Sequence, residues 1–267
     1  MTESRGVKIF LRVATLFVLG FLYLPIVVLV IYAFNPSRIQ AWPPSGVTLH
    51  WFFEAANNPA VVRAVQNSLA AASLATALAL VLGTLAALAV SRYDFFGKHT
   101  ISFALLLPIA LPGVVTGIAL RTTYTTFDVD LGIMTIVVGH ATFCVVVVYN
   151  NVLARLRRLP RTPEEASADL GADSFTTFRR ITLPGIWTAL LSGGLLAFGL
   201  SFDEIIVTIF TAGAGTQTVP MWIYSAIQRP NELPVVNVVA FVLILISVIP
   251  VYFAQRLSGN VARGAGL

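Results

Sequence analysis

The sequence predicts an all-α integral membrane protein with six transmembrane helices, and three observations carry that expectation. Only 11% of the 267 residues are charged, less than half the roughly 25% of an ordinary soluble domain. Another 57% are hydrophobic and the mean hydropathy is +0.85, more apolar surface than a water-soluble globule can hide. Six long apolar runs divide the chain, each near the ~20 residues that cross a bilayer core.

The first run, 13–34, follows Arg5, Lys8 and Arg12. It exceeds a typical signal-peptide core and lacks a small-residue cleavage site, so it reads as a retained anchor. The second is 68–90. The third, 101–120, contains Pro108 and Pro112, each of which removes a helical donor, so this helix should kink. Gly113 and Gly117 would let another helix approach it closely. The fourth, 131–150, carries His140, read as an interhelical hydrogen-bond donor, and Cys144. A single cysteine excludes an intrachain disulfide and a Cys-based metal cluster. The fifth, 186–210, is the only run with charges, Asp203 and Glu204, and the sixth is 235–254.

Thirteen of the 17 Lys and Arg residues fall on one side if the N-terminus is cytoplasmic; Arg38, Arg63, Arg121 and Arg229 fall on the other. The positive-inside rule therefore puts both termini in the cytoplasm. It also explains the net charge of +5 without nucleic acid as a partner. Trp42, Trp51 and Trp222 are expected at the outer interface and Trp187 at the inner one. The organisation read from this is a tail, first span and outer loop in 1–60, a membrane domain in 61–256, and a cytoplasmic tail in 257–267.

Between the fourth and fifth spans, residues 151–185 open with Arg155, Arg157, Arg158 and Arg161. Thr162-Pro163-Glu164-Glu165 has the pattern of a capping box, with the helix starting at 163. Gly171 supplies a stop. A second helix should start at Asp173 or Ser174 and run to Leu183, with Pro184 disfavouring helix at the residue before it. Two helices with a glycine corner are more order than a simple connection needs, which points to a docking surface for another protein.

Glu165-Ala166-Ser167, Gly171 and Ile181-Thr182-Leu183-Pro184 resemble, in identity and spacing, the EAA loop of bacterial ABC-importer permeases. Ser167 stands where the motif usually has Ala, and a small residue is kept. Asn67-Ser68-Leu69, Ser91-Arg92 and Leu107-Pro108-Ile109-Ala110-Leu111-Pro112-Gly113 are similar to type I importer permeases, extending the resemblance over 60–256. Ser201-Phe202-Asp203-Glu204 and Leu233-Pro234-Val235-Val236-Asn237 look most like the permease subunits of spermidine/putrescine importers. The resemblance implies a type I permease fold in the bacterial cytoplasmic membrane. It implies a second, different permease subunit, two ATPase subunits that carry ATP and Mg, and an external solute-binding protein. This chain would hold no cofactor, and Glu165, Ala166, Ser167, Gly171, Ile181, Leu183 and Pro184 would transmit the ATPase movement.

Within the bilayer a carboxylate needs a partner or a wet cavity. On a continuous helix Ser201, Glu204, Thr208 and Thr211 share one stripe. Glu204 is therefore expected to line a pathway, with Asp203 bonded to a neighbouring helix or to the partner permease. Arg121 would oppose cations unless it reaches Asp128 or Asp130. His50 and His99 lack metal-ligand spacing. Gly97-Lys98 precedes His99 and lacks the earlier glycine of a phosphate loop, and no hydrolase or dinucleotide motif occurs, so the chain reads as a transport subunit and not an enzyme. Aminophosphonates, amino acids or iron complexes remain alternative solutes, and an ion-coupled secondary transporter or a recruiting anchor remain alternative classes.

Overall fold

The computed structural model describes residues 5–264, and every regular element among them is helical. The chain divides into two compact units. One runs up to Val62 and includes Trp222–Ile244, and the other comprises Arg63–Met221 and the chain from Leu245 on.

The first unit contains α1 (Arg5–Ala33) and the short α2 (His50–Asn57). The most apolar 18-residue window of α1 has no buried residue, as suits a helix whose solvent is lipid. Trp51, expected at the interface, is instead 4% exposed. Its indole N–H donates to the Asn35 carbonyl at 2.8 Å, which gives the buried ring's polar edge a partner. The rings of Phe34, Phe52 and Phe241 cluster beside one another. Trp222 is also buried, whereas Trp42 and Trp187 are exposed as belt residues should be.

The second unit is built on α3 (Pro59–Arg92), α4 (Lys98–Ala110), α5 (Gly113–Thr126) and α6 (Ile133–Leu156). These are followed by α7 (Thr162–Asp169), α8 (Ser174–Thr177), α9 (Leu183–Asp203) and α10 (Ile206–Thr211). Ala79 and Ala87 of α3, Cys144, Val148, Tyr149 and Val152 of α6, and Ile186 and Ala197 of α9 form its core. Small residues on α3 permit that packing. A Cβ on Gly83 would stand 2.9 Å from the Val145 carbonyl oxygen, so α3 and α6 approach as small-residue helices do in membranes. The chain ends with α11 (Val219–Ala226) and α12 (Leu233–Gly264).

Among the described residues, five helices are long and apolar enough to span, and a sixth span exists if α4 and α5 are counted together. Three departures from the sequence expectation matter. The third span is not one kinked helix but two, bent by 105°. The fifth, expected to be continuous over 186–210, is interrupted at Glu204 and Ile205. The break expected at Pro184 is absent, and helix continues over Ser174–Asp203. Of the expected C-terminal tail, residues up to Gly264 extend α12, and 265–267 lie outside the described residues.

Pro184 is accommodated by a π-helical stretch, Phe178–Thr182, in which the Leu183 N–H bonds the Phe178 carbonyl. A proline ring ordinarily clashes with the carbonyl four residues back. The wider π turn shifts the bonding register at that point, so Leu183 keeps right-handed helical angles.

Candidate functional site

Two places gather the residues singled out by the sequence: the elbow between α6 and α9, and the break between α9 and α10. In the elbow, α7 starts at Thr162 without a side-chain cap, so the expected capping box is not formed. The N–H groups of Glu164 and Glu165 bond the Arg161 carbonyl instead, leaving both carboxylates available. Gly171 turns the chain at φ +83°, where a side chain would cost about 1–2 kcal/mol. Asp173 caps α8 by accepting the Thr176 N–H at 2.9 Å, and that bonding holds its carboxyl below the usual range. Ser167 Oγ and Thr177 Oγ1 lie 3.0 Å apart, so the one departure from the motif joins α7 to α8.

Glu164, not anticipated from sequence, is the hub of this region. Its Oε1 accepts from Arg92 Nη2 at 3.0 Å and from Thr182 Oγ1 at 2.8 Å, and its Oε2 lies 2.8 Å from Arg92 Nε. One half-buried carboxylate thereby ties the end of α3, the first turn of α7 and the turn leading into α9. Two further bonds add to it, Arg161 Nη2 to the Ser91 carbonyl at 2.7 Å and Arg155 Nε to the Gly185 carbonyl at 2.9 Å. The adjacency of two glutamates was visible in the sequence, but which of them turns inward is a tertiary fact. At the tip Leu170 and Phe175 are 89% and 68% exposed, an apolar pair with no shelter.

At the membrane break, Asp203 ends α9 and Glu204 has extended backbone, ψ 124°. Glu204 Oε1 accepts the Val207 N–H at 2.9 Å, and the Glu204 carbonyl accepts the Thr208 hydroxyl at 2.8 Å. The carboxylate therefore caps α10. Because the helix is interrupted, Glu204 leaves the stripe expected from continuous periodicity, while Ser201 and Thr208 still share a side. Ser201 and Thr208 are fully buried and turn to His140, whose Nδ1 is 2.7 Å from Ser201 Oγ and whose Nε2 is 2.8 Å from Thr208 Oγ1. Thr208 spends its proton on Glu204, so His140 Nε2–H must donate to Thr208, and Nδ1 accepts from the Ser201 hydroxyl. His140 is thus the interhelical link expected of it. Asp203 is exposed, whereas Glu204 is only partly so.

The α4–α5 bend faces this break. Pro108 lies inside α4, and the interruption falls at Leu111 and Pro112, with Gly113 opening α5. A Cβ on Gly113 would meet Ile206 at 3.3 Å, and one on Gly117 would overlap the Phe210 ring. Both glycines admit α10. Arg121 does not reach Asp128 or Asp130; its Nη1 donates to the Phe210 carbonyl at 3.4 Å. Between α6 and α9 lies a cavity of about 340 Å³ lined by Asn150, Asn151, Arg158 and Thr188, side chains that hydropathy alone did not distinguish. Among the described residues there is no group of three or more His, Cys, Asp or Glu side chains fit to hold a metal.

Residues 79–263 match the family of binding-protein-dependent transport system inner membrane components. The chain belongs to this family. It is an inner membrane permease with a multi-helix transmembrane body. Among similar proteins, the putrescine transport system permease PotI of Escherichia coli K12 is 38% identical over 228 residues, covering 82% of this permease and 80% of PotI. The spermidine/putrescine transport system permease PotC of the same strain is 33% identical over 246 residues, covering 92% of each. A bacterial ABC transporter chain involved in alginate import superposes with a TM-score of 0.73 at 15% identity, covering 95% of both chains. That likeness establishes the permease fold. A related structure captures the alginate transporter with its substrate-bound periplasmic protein.

Proposed function

We propose that this permease is half of the membrane channel of an ATP-driven polyamine importer. Its relatives at 38% and 33% identity are named for putrescine and spermidine transport. The observation that carries the reading on this chain is Asp203, an exposed carboxylate at the end of α9 beside a helix break. A carboxylate in a low-dielectric, partly wet site attracts an ammonium group, which offsets part of its own desolvation. Asn150, Asn151 and Thr188 supply neutral polar contacts further along the same helix pair.

The partners in this reading are a second, different permease subunit, two ATPase subunits holding ATP and Mg, and an external binding protein that contributes most of the selectivity; the family's dependence on a binding protein supports the last of these. The α7–α8 elbow lies on the cytoplasmic side, as both termini do, and presents Leu170 and Phe175 to a groove on an ATPase subunit. Hydrolysis occurs on that subunit. When the ATPases close, the elbow moves as a body. Glu164 passes the movement to α3 through Arg92 and to α9 through Thr182, opening the cavity to the outside.

The test is substrate-stimulated ATPase activity of the reconstituted complex with its binding protein, across polyamines, amino acids, sugars and phosphonates. Stimulation by putrescine or spermidine is expected. In the Gly171→Val variant ATP hydrolysis should persist while uptake is lost. A response only to another solute overturns the polyamine assignment, and uptake that survives ATPase removal but collapses with an uncoupler overturns the importer itself.

A further inference from the structure

A cavity of about 460 Å³ opens where α3 and α6 end and α4 begins, on the membrane face that carries the elbow. Its floor is apolar, made by Val90, Leu156 and Leu159. Its rim carries Arg92, Lys98, Arg157 and Arg161, with the hydroxyls of Ser91 and Ser102 between them. Two carboxylates face these cations. Glu164 pairs with Arg92, and Asp94 lies 2.9 Å from Lys98, its carboxyl held below the usual range by that ammonium group. Arg161 also acts on Asp94, and Arg157 enters no ion pair among the described residues, so four cations against two carboxylates leave the cavity an excess of two positive charges.

The depth of this cavity is marked by the neighbouring loop. Tyr93 and Phe96 are 65% and 104% exposed, and Phe95 is exposed with them. Three aromatic side chains in four residues would be poorly placed in water, but they suit the headgroup layer, where amphipathic and aromatic rings collect. Lys98 shows the same depth by a different route, with its side chain only 24% exposed, as suits a long cation that covers its stem and keeps its head polar. α4 itself has no buried residue, which leaves its surface to lipid or to the second permease subunit.

We propose that this cavity binds the phosphate headgroup of an anionic phospholipid. Lys98, Arg157 and Arg161, with the Ser91 hydroxyl, would hold the phosphate oxygens, since Arg92 is held by Glu164 and the Ser102 hydroxyl donates to the Lys98 carbonyl, and the glycerol and first acyl carbons would lie on Val90, Leu156 and Leu159. Basic pockets between membrane helices recognise anionic headgroups in this manner. A lipid there ties the base of α4 to the ends of α3 and α6. α3 is the helix that Arg92 joins to the elbow, so occupancy would stiffen the base against which the elbow moves. Only the choice of leaflet rests on the orientation proposed above; binding itself does not depend on the substrate or on the ATPase.

The experiment is lipid retention by the assembled complex in nanodiscs of mixed phosphatidylglycerol and phosphatidylcholine, read by native mass spectrometry. Phosphatidylglycerol should be retained preferentially, and its retention should fall about fivefold for each cation neutralised in Arg157→Gln and Lys98→Gln. Arg179→Gln, an exposed cation outside the cavity, should have no effect. A fall of equal size in Arg179→Gln would show diffuse surface attraction and overturn the site, as would unchanged retention in both cavity variants. Displacement by inorganic phosphate at equal concentration would assign the cavity to a free anion instead. If the charge variants do not assemble, maleimide labelling of the Ser102→Cys variant decides. Slower labelling in phosphatidylglycerol than in phosphatidylcholine supports the proposal, and equal rates overturn it.

Discussion

Two helix breaks lie against each other in this permease, and they are made by opposite means. The α4–α5 break contains Pro112, which has no N–H and fixes its own φ; the backbone alone accounts for it. The α9–α10 break contains no proline and no glycine between Ser201 and Thr208. Side chains hold it, with Glu204 capping α10 and His140 bonded to Ser201 on one side of the gap and Thr208 on the other. A proline break is permanent, whereas one held by three hydrogen bonds from polar side chains can be reset when those bonds exchange. The second is therefore the better hinge, and the exposed Asp203 stands beside it.

The sharpest way to break this contrast is His140→Ala. It leaves a cavity and removes a partner from two buried hydroxyls, at a combined cost of about 3 kcal/mol. Thermal unfolding of the purified complex should register that loss. An unchanged midpoint would mean that the α9–α10 break is held by packing on α5 and not by the histidine.

Next in size is Glu164→Gln, which takes the charge from the clamp with Arg92 and leaves a half-buried guanidinium less well paired, at about 2 kcal/mol. Coupled uptake should fall more than basal ATP hydrolysis. Glu165→Gln should leave stability unchanged, because Glu165 has no role in the clamp. If the two variants exchange these effects, the inward-turned glutamate has been misassigned.

The same contrast explains what was legible in the sequence. Span existence followed from hydropathy because lipid leaves no other way to satisfy backbone polar groups. Gly171 and Asp173 were legible because a corner and an N-cap are set by residues within one turn. The α4–α5 interruption was partly legible, since prolines announce a bend but not its 105° angle. The α9–α10 break was hidden, because the His140 that bridges it lies more than 60 residues away on α6, and the local Glu204 cap reads in sequence as one more position on a continuous stripe. Pro184 misled for the converse reason: a π turn upstream absorbed a residue that local rules read as a stop. Glu164 and Arg92, 72 positions apart, are likewise joined only by the fold.

The carboxylates at the hinge give the next comparison. Asp203→Asn should reduce polyamine transport about tenfold, the equivalent of roughly 1.4 kcal/mol, with stability unchanged. Glu204→Gln keeps an oxygen for the Val207 N–H and should change transport less. Side-by-side uptake assays decide; the reverse order would return the pathway role to Glu204 and make Asp203 a bystander.

The smallest effect concerns a second carboxylate cap. Asp173 and Glu204 each accept an N–H three residues ahead, but Asp173 does so in water, at the elbow. The Thr176 bonds lower its carboxyl below the ordinary value of 3.8. A depressed acid contributes stability that is present above its unfolded pKa and is lost as pH falls through the folded value. Hydrogen exchange at the Thr176 amide should therefore lose its protection only below about pH 3.8, while the Val207 amide, capped inside the membrane, is read as the internal reference. In Asp173→Asn the Thr176 amide should exchange with no such step, since Asn still caps but does not ionise. A step that persists in that variant would mean another carboxylate orders the elbow, and Glu164, tied to Arg92, would then be the one to test.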